Sequence, residues 1–179
     1  MYLQTLTELR LVSRSVPLKS DLSSRAGHWQ LEDPFLRFWF RFVFPFQSDL
    51  ESGLAPSTLF DEEVAPAIAE HVSPVFEAWC REWLRRNRDH GVTQVGPWWG
   101  PALDGFRRSG ERTSEEIDAI GLSRGRVVVV SEAKWTTRQL TPSIVHDLDR
   151  YKVPALRQGG LRIAADLRIV LFSKSGYSS

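Results

Sequence analysis

The stretch that most constrains this chain runs from Glu115 to Trp135, EEIDAIGLSRGRVVVVSEAKW. It reads as a β-hairpin. The spacing predicts a first strand from about Glu116 to Leu122, a turn at Ser123-Arg124-Gly125-Arg126, and a second strand from Val127 to Lys134. Four consecutive valines in the second strand suit burial on both faces of a sheet. Asp118 interrupts the first strand. Glu132 and Lys134 close the second, two residues apart, so they project from one face. Closing the hairpin brings Asp118 beside Glu132 and gathers two carboxylates and an ammonium at one end of an apolar sheet.

Such a cluster suits a divalent cation. Mg²⁺ takes carboxylate oxygens and completes its shell with water and substrate phosphates. It neutralises charge on a phosphodiester, and a neighbouring lysine orients water or stabilises the phosphorus centre. The same residues also describe a salt-bridged rim with no chemistry, and the spacing alone does not choose between the two.

Composition sets few limits beyond these. The 179 residues carry a net charge of +1, so any attraction for nucleic acid must be local. The single Cys80 excludes a disulfide framework and a cysteine-based zinc site within one chain, and fits a reducing cytoplasm. The most apolar run, Phe35 to Phe46, is too short to span a bilayer and contains Arg37 and Arg41, so no membrane partner is expected. No Gly-rich phosphate loop ending in Lys-Ser/Thr occurs, so the chain has no ATP site of that kind. Most of the seven tryptophans are expected in the core.

Taken in order, residues 1–32 read as helix, strand, loop and strand, the second half of a winged helix. Residues 33–72 form a helical connector. Asp33-Pro34 is a helix start, with Asp as N-cap and Pro in the first turn. The helix FLRFWFRFVF is apolar on nearly every side and is expected to be buried up to Pro45, with QSDLESG a loop. Another helix begins at Thr58 or Asp61. Ser73-Pro74 opens a fresh helix at the start of a domain spanning 73–179. Val75, Phe76, Trp79, Cys80, Trp83 and Leu84 form its apolar stripe. Glu77 lies on the border of that stripe, as a partner of Arg81 at i+4 or as a carboxylate turned towards the metal site. VTQVGPWWG is the first core strand. The polar stretch PALDGFRRSGERTS is a loop carrying Arg107, Arg108 and Arg112, which with Arg138 are candidates for phosphate contacts. Thr141-Pro142 opens a second helix, to which Lys152 belongs without an assigned role. LRIVLF is a last buried strand, preceded by a short extended piece.

From Ser73 the order is helix, strand, strand, strand, helix, strand. Asp118 followed by Glu132-Ala133-Lys134 resembles the PD-(D/E)XK, restriction-endonuclease-like superfamily. The pieces Asp33-Pro34-Phe35-Leu36-Arg37-Phe38-Trp39, Phe76-Glu77, Trp98-Trp99-Gly100, Glu116-Ile117-Asp118 and Glu132-Ala133-Lys134-Trp135 resemble, in order, the C-terminal domain of the archaeal-type (AAA+/STAND-like) ATPases. The resemblance implies an α+β or α/β fold: an αβββαβ core, with a mixed sheet flanked by helices, behind a helical extension and a partial winged helix. It implies Mg²⁺ or Mn²⁺ at Asp118 and Glu132, with Glu77 completing the cluster and Lys134 orienting the nucleophile. It also implies DNA as substrate, and an ATPase domain or subunit as partner. A non-catalytic module binding DNA or protein is the alternative, as is an interaction domain resting on its aromatic layer.

Overall fold

The computed structural model of the chain describes residues 2–20, 25–87, 91–103 and 113–178. It falls into two compact units. One comprises residues 1–16 and 21–72, the other residues 17–20 and 73–179.

In the first unit, helix α1 (Tyr2–Glu8) leads into an antiparallel pair, β1 (Val12–Ser15) and β2 (His28–Leu31). Asp33 caps α2 (Pro34–Phe38), its Oδ1 accepting from the backbone N–H groups of Phe35 and Leu36 at 2.7 and 3.1 Å. The helical run does not stop at Pro45. A π-turn over Trp39–Val43 and a 3₁₀ turn over Phe44–Phe46 carry it into α3 (Gln47–Glu51), where a loop was expected. Nor is this aromatic run buried all round. Phe42 is 3% exposed and packs with Phe38 against His71, but Phe35, Phe40 and Phe44 stand at 65, 49 and 55%. Phe35 stacks on Trp39 and Phe40 meets Phe44 edge-on, so the exposed rings pack on neighbours within the run. After α4 (Pro56–Leu59), a second π-turn over Phe60–Val64 enters α5 (Ala65–Arg86).

Proline explains where the π-turns fall. Each ends two residues before a proline: Pro45, Pro66 and Pro154. In each case the intervening residue (Phe44, Ala65 or Val153) donates its N–H to the carbonyl five residues back. A proline supplies no donor and crowds the carbonyl four residues back; widening the turn accommodates both effects. Pro74 behaves differently. It lies inside α5, so the two helices expected on either side of Ser73 are one. The lost hydrogen bond costs about 3 kcal/mol, and the turns beyond it, which bury Cys80 and Leu84, carry the helix through.

The second unit is built on a four-stranded mixed sheet, ordered β3 (Gln94–Pro101), β4 (Ser114–Ser123), β5 (Arg126–Lys134), β6 (Arg162–Ser173). The first three strands run antiparallel; β5 and β6 are parallel. The parallel step needs a crossover. It is supplied by α6 (Ser143–Asp147), a π-turn over Leu148–Lys152 and α7 (Val153–Gln158). β6 is one strand of twelve residues where two extended pieces were expected.

The hairpin closes on a two-residue turn. Arg124 and Gly125 both have positive φ, +49° and +76°, as the favoured tight hairpin turns require. Val127, Val129 and Val130 are fully buried. One side of the sheet joins Ile120, Leu122 and Val130 to Leu148, Val153 and Leu156 of the crossover helix. The other joins Ala119 and Val129 to Leu84 of α5. Gly121 marks a register shift where β4 and β5 part. A Cβ there would meet Val92 Cγ1 at 2.5 Å, so any other residue would force Val92 to move. Arg81 and Arg85 bind α5 to the sheet, donating to the carbonyls of Asp118 (2.8 Å) and Val95 (3.2 Å). Of the seven tryptophans only Trp98 is buried; Trp29, Trp79 and Trp83 are 45, 75 and 46% exposed. Trp83 packs edge-on against Phe172 of β6, and Trp135 packs against Phe76 of α5.

Candidate active site

The register explains the site. Ala119 pairs with Ser131 across β4 and β5, so the next pair along places Asp118 opposite Glu132. Both carboxylates therefore share a face. Lys134 Nζ joins them, donating to Glu132 Oε2 at 2.7 Å and to Asp118 Oδ2 at 3.3 Å. Asp118 Oδ2 also accepts from the backbone N–H of Ala133 at 2.8 Å, which fixes its rotamer against the adjacent strand. No hydrogen bond or ion pair engages its Oδ1 among the described residues. Glu132 is 2% exposed and Asp118 12%.

Lys152 is the member the sequence did not reveal. Its Nζ donates to Glu132 Oε1 at 2.5 Å. It closes the π-turn before Pro154, and that turn delivers it to the sheet. A basic residue nine positions after Ser143, where α6 begins, carries no signal of its own. The proline two residues later was the available clue.

Asp118, Glu132, Lys134 and Lys152 line a cavity of about 370 Å³ together with Ser114 and Glu116. Burial, then repulsion from Asp118, pushes the Glu132 carboxyl above the usual carboxylate range, against the pull of Lys152 and Lys134. Burial alone would lower the Lys134 ammonium, but Glu132 and Asp118 outweigh it and hold it above the usual lysine range. Glu77 on α5 is pushed up to about 7 by burial and by Asp118, partly offset by Arg81. Its Oε2 stands 3.7 Å from Arg81 Nη1, the i+4 pairing open to it from sequence. Glu77 therefore feels the field of Asp118 but is not part of the described cavity lining.

Among the described residues, no three His, Cys, Asp or Glu side chains gather as a metal site. Asp118 and Glu132, the two carboxylates that converge on Lys134, offer oxygen donors alone. That set fits Mg²⁺, which commonly holds to one or two carboxylates and keeps water for its other positions; it does not fit zinc. Arg107, Arg108 and Arg112 lie outside the described residues. Arg138 is exposed, its backbone N–H donating to Thr136 Oγ1, and it does not line the cavity. Cys80 is buried, with its thiol pushed up to about 11 by burial, and so is chemically quiet. Among the described residues no helix is long and apolar enough to cross a membrane.

An uncharacterized protein of Methanocaldococcus jannaschii is 28% identical over 141 residues, which are 75% of this chain and 28% of that protein. The chain thus spans just over a quarter of that relative's length. No solved structure matches. The profile of one family aligns with residues 39–145, more than half of the chain and the whole of the hairpin. On that match the chain belongs to the DUF234 family, archaeal and bacterial proteins of unknown function.

Proposed function

We propose that the cavity at the end of the hairpin is the active centre of a restriction-endonuclease-like module that hydrolyses phosphodiester bonds in DNA. The observation that carries this reading is the convergence of Asp118, Glu132 and Lys134 on one face, within 3.3 Å of a shared ammonium. The helix–strand–strand–strand–helix–strand order from α5 onward supports the PD-(D/E)XK assignment.

Asp118 and Glu132 would hold Mg²⁺ or Mn²⁺, which when bound supplies Lewis acidity and charge neutralisation at a phosphodiester. Asp118 brings an unengaged Oδ1 to that task. Lys134, 40% exposed, has room to turn its ammonium from the carboxylates to a scissile phosphate, where it orients the attacking water and meets developing negative charge. Lys152 favours the charged form of Glu132 and fixes where its Oε1 points. Glu77, titrating near neutrality, takes up or gives back a proton at the edge of the site. An ATPase domain or subunit is part of the same proposal, and the greater length of the archaeal relative leaves room for one there.

A second reading has an observation of its own. Both Glu132 oxygens are already taken by ammonium groups, and Lys134 also reaches Asp118, so these two carboxylates have cationic partners without a metal. On that reading the module binds DNA or protein without cutting. Calorimetric titration of Mn²⁺, paired with cleavage of a DNA duplex, separates the two. The nuclease reading expects Mn²⁺ binding that disappears in Asp118→Asn, and cleavage that falls about a hundredfold or more in Lys134→Ala. The asparagine retains an oxygen for the Ala133 N–H, so the fold should survive. A protein that takes up no Mn²⁺ and cuts nothing, while still binding DNA in a salt-dependent way, would establish the second reading.

A further inference from the structure

The opposite end of the same hairpin carries a second cavity, of about 410 Å³. Arg124 and Arg126 reach it from the tight turn, Arg162 from the start of β6, and Lys19 from the segment at residues 17–20. Its floor is apolar, formed by Leu18, Trp98 and Leu122. Among the described residues no carboxylate lines it. None of the four cations makes an ion pair or a side-chain hydrogen bond among the described residues. Four like charges around one cavity repel one another unless an anion sits between them. The backbone keeps them there at some cost. Lys19 and Arg124 have positive φ, +76° and +49°, which is uncommon for non-glycine residues.

Size and chemistry narrow the ligand. The volume lies within the range of small-molecule sites, about 300–1,000 Å³. Three guanidinium forks and an ammonium match the oxygens of a phosphate, and an apolar floor with an indole suits an attached base or sugar. From Arg126 to Lys134 the strand advances eight residues, about 26 Å at 3.3 Å per residue. The cavity is therefore separate from the acidic site and does not depend on its being a nuclease.

We infer that this cavity binds a phosphate-bearing ligand of mononucleotide size, either a free nucleotide or the end of a nucleic-acid strand. Titration calorimetry in EDTA, which silences the acidic site, tests this with four probes: pyrophosphate, ATP, a 5′-phosphorylated single-stranded octanucleotide, and a glutamate peptide of matched charge. At least one phosphate probe should bind the wild type. Its affinity should fall about tenfold in each of Arg124→Asn and Arg162→Gln, the loss of one charge-assisted hydrogen bond, and should be unchanged in Asp118→Asn. Asparagine tolerates the positive φ at position 124, so that variant keeps the turn. ATP binding as tightly as the octanucleotide identifies a free nucleotide; the reverse identifies a strand end. The inference is overturned if no phosphate probe binds, if the Arg124→Asn/Arg162→Gln double variant binds undiminished, or if the peptide binds as tightly as the phosphates.

Discussion

Lys152→Met is the most informative single perturbation of the acidic site. Glu132 is 2% exposed and holds one ammonium on each oxygen. Methionine keeps most of the length of the side chain and removes the charge, leaving a buried carboxylate with Lys134 alone. Breaking a buried pair by deleting one partner costs about 3–5 kcal/mol. The surviving 2.7 Å contact to Lys134 puts the expected loss near the lower end, about 3 kcal/mol. The pH dependence follows from the direction of the Glu132 shift. Burial first, then Asp118, raise it in the folded state, and the lysines oppose them. Removing Lys152 raises it further. A carboxyl whose folded pKa exceeds its unfolded value contributes its stability fully below the unfolded pKa and loses it as pH rises through the folded one. The deficit of Lys152→Met should therefore be largest at neutral pH and shrink towards about pH 4, where Glu132 is protonated in both states. Urea unfolding at several pH values measures this. Adding Glu132→Gln should recover most of the loss, with a coupling of about 2 kcal/mol in the double-mutant cycle. A deficit under about 0.5 kcal/mol at pH 7, or one equal at pH 4 and pH 7, would refute the claim that Lys152 sustains the buried charge.

Two further outcomes follow from neighbouring groups. Glu77, pushed up to about 7, should disfavour folding when ionised, so Glu77→Gln should be more stable than wild type at pH 8. The shift alone corresponds to about 3 kcal/mol, reduced to about 1–2 kcal/mol because the side chain is a quarter exposed. The gain should vanish below about pH 4.5, where the carboxyl is protonated folded or unfolded. Ser131 is buried and its Oγ has no hydrogen-bond partner among the described residues. Ser131→Ala should therefore stabilise by about 1 kcal/mol in thermal or urea unfolding; a loss of stability would mean that the hydroxyl is satisfied.

The amino-acid sequence alone determined the hairpin, its turn, and the pairing of Asp118 with Glu132 and Lys134. All three rest on short-range rules: alternation along a strand, left-handed turn residues, and the geometry of adjacent strands. It also determined the element order of the second unit and the Asp33 cap, where one side chain reaches two nearby N–H groups. What it could not decide depends on partners far along the chain. Pro45 and Pro74 read locally as helix boundaries, yet packing and π-turns carry the backbone past them. The aromatic run and most tryptophans read as core, but apolarity does not say which face meets another element. Lys152 reached Glu132 only through the tertiary fold, because the crossover helix had to widen before Pro154 and then lie on the sheet. The four cations of the second cavity come from three separate stretches of chain and meet only once β5 and β6 align in parallel. Local chemistry is written in neighbouring residues, whereas charge clusters form by chain closure, which no short window of residues encodes.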